Sequence, residues 1–235
     1  MNKLSKLLNV PDITDRRYRA LIVLGIILPF FLYVFLSYMF LSSNESLESR
    51  LIISRLIIWG VFGLLFLYAY QAEVQQFLLW GESKYNFSFY IKAIIALYLL
   101  GYVMGIIAHI PVWFGFHENK DVLLKMAIVM KQHPLFMYFT AITAGITEEL
   151  IFRGYMLSRL SLLFKQKYLP IVISAMLFAV VHLAYKNPIQ LVYTFLLGLL
   201  YGAFYQKYRN IKILIGVHSM VDITAFSVLF AHIKH

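Results

Sequence analysis

From Ala20 to Leu41 the chain carries no charged side chain. A helix over that run is about 33 Å long at 1.5 Å per residue, enough to cross the roughly 30 Å hydrocarbon core of a bilayer. In lipid the backbone polar groups must be satisfied internally, and a helix does so within the run itself. The pattern then recurs. Leu51–Tyr70, Tyr90–Ile110, the stretch opening at Pro134, Pro170–Ala184, Pro188–Tyr205 and Ile213–Ile233 are all predominantly apolar. The expected fold is all-α, a polytopic transmembrane bundle of about seven spans plus an interfacial helix.

Composition agrees. The apolar share is 61%, the charged share 14% and the mean hydropathy +0.76, against about 45–50% and about 25% for soluble domains. There is no cysteine, which excludes disulfides, thiolate metal sites and a cysteine nucleophile. The formal net charge is +10. In a membrane chain the positive-inside bias explains that excess more simply than nucleic-acid binding does. The basic start, Met1 to Arg19, precedes a long apolar run that lacks a small-residue exit, so the run reads as an uncleaved first span.

The expected organisation is a cytoplasmic basic segment, 1–19, then one integral domain, 20–235. An amphipathic helix ending at Pro11 and a kink at Pro29 are expected early on. Arg55, near the start of the second span, is expected to snorkel to the interface. Gln71–Phe89 reads as a polar-aromatic connector. Within His117–His133, Val122–Met130 is too short to cross and reads as interfacial. With the N-terminus inside and seven spans alternating, fourteen Lys and Arg fall on the cytoplasmic side and seven on the other. That ratio favours a cytoplasmic N-terminus and an outer C-terminus.

The few polar groups within the later spans come in spaced sets. G-I-T-E-E-L-I-F-R-G-Y, Gly145–Tyr155, holds adjacent carboxylates Glu148 and Glu149, with Arg153 four residues after the second. Helical spacing puts Glu149 and Arg153 on one face and turns Glu148 about 100° away. Ionisable groups inside a span are costly and are functional candidates. F-A-V-V-H pairs Phe178 with His182, and H-S-M-V-D pairs His218 with Asp222, each at i, i+4. Singly each set has a plain explanation, because helix-end glutamates are commonly interfacial and a lone helix histidine commonly packs. Together they point at a shared interior cavity.

A carboxylate and two histidines in a wet cavity suit water activation. Glu148 fits a general base, His182 a group that holds the water, and His218 a donor to a developing oxyanion. Glu149, paired with Arg153, fits a scaffold carboxylate, and Phe178 would set the His182 ring. Three other classes stay open. Two histidines and a carboxylate can hold a catalytic zinc, although there is no H-E-x-x-H. A non-enzymatic membrane binding or immunity protein would leave the same residues dispensable. A transporter would show an inverted repeat, and none is visible.

The order E-E-x-x-x-R, F-x-x-x-H, H-x-x-x-(N or D) resembles the three motifs of the CAAX protease and bacteriocin-processing family, also called the Abi family, of intramembrane glutamic-type endopeptidases. The resemblance covers roughly 134–232, which it marks as the catalytic core. It implies a mechanism with no metal and no cofactor. Glu148 would activate water with His182, and His218 with the last motif residue would line the oxyanion site. The prenyl endopeptidases carry Asn at that last position, where this chain carries Asp222. An ionised Asp would repel an oxyanion, so Asp222 would be protonated or would orient His218. The implied partners are a membrane-associated peptide or protein substrate and the lipid bilayer. The implied settings are bacteriocin self-immunity and peptide processing. One geometric demand follows. His182 lies about 18 Å along a helix from Pro170, on the far side from Glu148 and His218 if spans are straight. The fifth span must therefore tilt or begin inside the cytoplasm.

Overall fold

The computed structural model describes residues 14–41 and 45–233, apart from the side chain of His232. The helix expected before Pro11 lies outside the described residues. Helix α1, Arg16–Phe40, starts at Asp15, whose carboxylate accepts the Arg17 N–H. It continues as helix on both sides of Pro29. Helix α2, Leu47–Gln71, is capped by Ser46 and has Glu48 in its first turn, where a negative charge complements the helix dipole. The span thus starts four residues earlier than its apolar run. Helix α3, Phe87–Ala108, is capped by Asn86 and runs into a 3₁₀ turn, Ile110–Phe114. Gly115 closes that turn at φ +87°, a conformation open to glycine at little cost.

Helix α4, Asp121–Gln132, has 12 residues and lies where an interfacial helix was expected. Helix α5 runs from Pro134 to Leu163. It is α-helical to Glu148, π-helical over Glu149–Leu157, and α-helical again from Ser158. Helix α6, Leu169–Val180, ends in a 3₁₀ turn, Val181–Tyr185. Helix α7, Pro188–Tyr208, is capped by Asn187, and α8, Ile211–His232, by Asn210. Among the described residues six helices are long and apolar enough to cross a membrane, and Leu169–Tyr185 is a shorter apolar one. The chain is an all-helical, multi-pass membrane protein.

Helix α5 is the centre of the bundle. Its most apolar window is 56% buried, against 17–22% for α1, α2 and α3. The early helices instead expose Phe31, Phe35, Leu64, Leu99 and Tyr102, as lipid-facing walls must. Small residues let the later helices approach closely. Gly198 of α7 packs against the Ala175 backbone of α6, and Gly145 of α5 against Ser219 and the Ile215 carbonyl of α8. A Cβ at Gly145 would lie 3.0 Å from that carbonyl oxygen, so neither helix can absorb it by rotating a side chain. Gly145→Val is expected to destabilise the protein by roughly 1–3 kcal/mol through overpacking, read as a lower midpoint of thermal unfolding.

The connector between α2 and α3 packs into the bundle. Phe77, Leu79 and Trp80 are buried, and Glu73 is 2% exposed. Glu73 Oε2 accepts from Arg159 Nη2 at 2.9 Å and Nε at 3.1 Å, and Glu73 Oε1 accepts from the Tyr155 hydroxyl at 2.6 Å. Arg159 also donates to the carbonyls of Phe77 and Gln76 and stacks over the Tyr155 ring. The segment is therefore a clamp on α5. Further on, both Glu82 carboxylate oxygens accept the Ile211 N–H at 3.1 Å. That contact places a negative group at the N-terminus of α8, which suits its dipole. Asn210 adds bonds to the Ser83 carbonyl and the Tyr90 hydroxyl.

Candidate functional site

The three spaced motifs meet where α5, α6 and α8 face one another. Glu148 is the last α-helical residue of the first part of α5, and Glu149 opens the π-helical part. A π-segment bonds i to i+5 and is often found at functional sites. Here it still sets Glu149 beside Arg153, with Arg153 Nη1 2.8 Å from Glu149 Oε1. Both side chains are buried, at 0% and 1% exposure. The Arg153 guanidinium lies over the Phe178 ring at 4.2 Å and near the Tyr201 ring at 5.5 Å, a cation–π arrangement in a desolvated setting. Ser174 of α6 donates to the Phe152 carbonyl at 3.0 Å, fastening α6 to the π-segment.

The two carboxylates face different surroundings. Glu149 is sealed inside, whereas the Glu148 side chain is 17% exposed and lines a cavity of about 420 Å³. His182, in the 3₁₀ turn that ends α6, lines the same cavity. Its Nδ1 lies 2.8 Å from the Phe178 carbonyl oxygen. A carbonyl only accepts, so Nδ1 carries the hydrogen, and Nε2 of the neutral ring is an acceptor. Phe178 packs edge-on against His182 with centroids 4.9 Å apart, and Tyr185 flanks the other side at 5.6 Å.

His218 is held differently. Its Nδ1 donates to Glu149 Oε1 at 2.7 Å, so one carboxylate orients both Arg153 and the imidazole. Its Nε2 then lies 3.8 Å from Glu148 Oε2 and 3.7 Å from Asp222 Oδ2. The Phe178 ring touches the His218 ring edge-on at 6.0 Å, so Phe178 sits between both histidines and under Arg153. The structure thus brings Glu148, Glu149, Arg153, Phe178, His182, His218 and Asp222 into one neighbourhood. Sequence reasoning missed the Glu149–His218 bond, since the two residues are 69 apart in the chain. It gave no sign that Arg55 lines the same cavity, together with Ser54 and Tyr33. Among the described residues no three His, Asp or Glu side chains are grouped as metal ligands.

An acid and an imidazole share a cavity between membrane helices, and a second imidazole with its own carboxylates lies beside the acid. Fold and site together define a polytopic membrane protein whose later helices gather ionisable side chains around a cavity. Residues 131–224 match the family model described as type II CAAX prenyl endopeptidase Rce1-like. All three motifs fall inside that match, so the resemblance read from them is borne out, and it indicates a membrane endopeptidase. No curated protein and no solved structure matches the chain.

Proposed function

We propose that the protein is an intramembrane glutamic-type endopeptidase that hydrolyses a peptide bond of a membrane-associated peptide or protein. The observation that carries this reading is the placement of Glu148 and His182 on the wall of one cavity, with His218 Nε2 3.8 Å from Glu148. Glu148 takes a proton from a water as that water attacks the scissile carbonyl. His182 Nε2 accepts the water's second hydrogen and fixes its direction. The carbonyl oxygen becomes an oxyanion, which His218 Nε2–H stabilises. Glu149 already engages Nδ1–H, so a donating Nε2 requires the doubly protonated ring. Glu148 then returns its proton to the leaving amine, and the C–N bond breaks to give a carboxylic acid and an amine.

Asp222 orients His218 through Nε2 before substrate arrives, and yields that contact to the oxyanion. Glu149 and Arg153 position the imidazole, and Phe178 supports Arg153 and both rings. Residues 134–232 form the catalytic core of the single domain 20–235, with the basic segment 1–19 and the N-terminus in the cytoplasm. Peptide processing and bacteriocin self-immunity are the settings this chemistry fits.

The test is cleavage of a membrane-inserted candidate prepeptide by the purified protein in liposomes. His182→Ala and His218→Ala are each expected to lower cleavage by roughly 10²-fold or more, with full accumulation in the membrane. If both variants retained all biological activity, a non-enzymatic binding role would replace this reading. Cleavage abolished by a strong chelator and restored by zinc would also displace it.

A further inference from the structure

Arg55 sits in the third turn of α2, and its side chain lines the cavity that Glu148 and His182 also line. Two buried cations of the bundle are paired, Arg153 with Glu149 and Arg159 with Glu73. Arg55 is in none of the ion pairs or hydrogen bonds among the described residues. Its electrostatic neighbours are Asp222 and Tyr185, both beyond ion-pair distance from it. A guanidinium held inside a span without a carboxylate against it is expensive and points to function. Around it the cavity wall is apolar, with Phe30, Val34, Ile58 and Met126.

We propose that Arg55 is a specificity-determining residue that binds a carboxylate of the substrate, so that the cavity takes an apolar peptide segment carrying one negative group. The proposal rests on the hydrolytic reading. The planar guanidinium suits bidentate pairing with a carboxylate. The surrounding apolar side chains would receive the apolar residues next to the anion. A peptide anchored there extends along the cavity toward Glu148. The carboxylate can be the C-terminus of the peptide or an Asp or Glu side chain.

The probes are hexapeptides of Ala, Val, Leu and Phe, each made as the free acid, as the C-terminal amide, and as an amide containing one Glu. Binding is read as the rise in thermal unfolding midpoint in detergent, and cleavage by mass spectrometry in liposomes. Wild type and Glu148→Gln are expected to bind at least one carboxylate-bearing form about tenfold or more tighter than the plain amide, the range of a charge-assisted hydrogen bond. Arg55→Gln is expected to bind all three forms within about twofold of one another, while Arg55→Lys, which keeps the charge but not the fork, retains part of the preference. Preference for the free acid identifies a terminal carboxylate, and preference for the Glu-bearing amide an acidic side chain. Equal binding of all three forms by wild type, no binding of any, or an unchanged preference in Arg55→Gln overturns the proposal. A preserved binding preference with no cleavage by wild type would leave the anion site standing and sink the hydrolytic reading.

Discussion

Glu148→Gln is expected to reduce peptide cleavage by roughly 10²–10⁴-fold, the range of a lost general base. Gln keeps the size and the hydrogen-bonding reach of Glu but cannot take a proton at neutral pH. The loss should fall on kcat, because Glu148 lines the cavity wall and its carboxylate is used only when water attacks. Stability should barely change. Glu148 is partly exposed to the cavity, and its contact with His218 is 3.8 Å long, whereas the buried ion pair belongs to Glu149. Cleavage rates and unfolding midpoints measured on the same preparation separate the two effects. A variant that unfolds normally and cleaves at the wild-type rate would remove Glu148 from the reaction.

Arg159→Ala is expected to have the opposite signature, a large loss of stability. Arg159 and Glu73 are both buried, at 1% and 0% side-chain exposure, and the pair is fully engaged by Tyr155 and two carbonyls. Removing one partner leaves a buried carboxylate uncompensated, which costs roughly 3–5 kcal/mol. The connector Ala72–Asn86 would then lose its hold on α5, and membrane-inserted protein should fall in amount and unfold at lower temperature. The double variant Glu73→Gln/Arg159→Met should recover part of that loss, because no uncompensated charge remains. If the single and double variants were equally destabilised, the pair would not be coupled as the geometry requires. This pair separates structural from chemical roles among buried charges.

The bundle was readable from the chain because span formation is local. Runs such as Ala20–Leu41 fix their own helices, and Pro134, Pro170 and Pro188 mark helix starts where a missing N–H costs nothing. The Glu149–Arg153 pairing was readable for the same reason, as a consequence of spacing along one helix. The clamp was not. Glu73 and Arg159 are 86 residues apart, and nothing near Glu73 distinguishes it from a solvated loop carboxylate. The π-segment Glu149–Leu157 was also hidden, since its sequence is an ordinary helical one. It is sustained by partners from elsewhere, such as Ser174 on the Phe152 carbonyl. The role of Arg55 at the cavity was hidden because a cation near the start of a span shows only its sequence depth, while the cavity beside it is built from other helices. His182 reaches the cavity that Glu148 lines from the last turn of α6, Val181–Tyr185, which tightens to 3₁₀.

The absence of cysteine allows the central claim, that one acid and two imidazoles from three helices converge, to be measured directly. Thiols are introduced in pairs as Glu148→Cys with His182→Cys, Glu148→Cys with His218→Cys, and Glu148→Cys with Met220→Cys, the last on the exposed face of α8. A short bifunctional thiol reagent is then applied to intact membranes. The account predicts rapid intramolecular linking of position 148 to 182 and to 218, and none to 220. Linking of 148 to 220, or failure of 148 to link to 182 and 218 while single thiols at all three react with a monofunctional reagent, would contradict it.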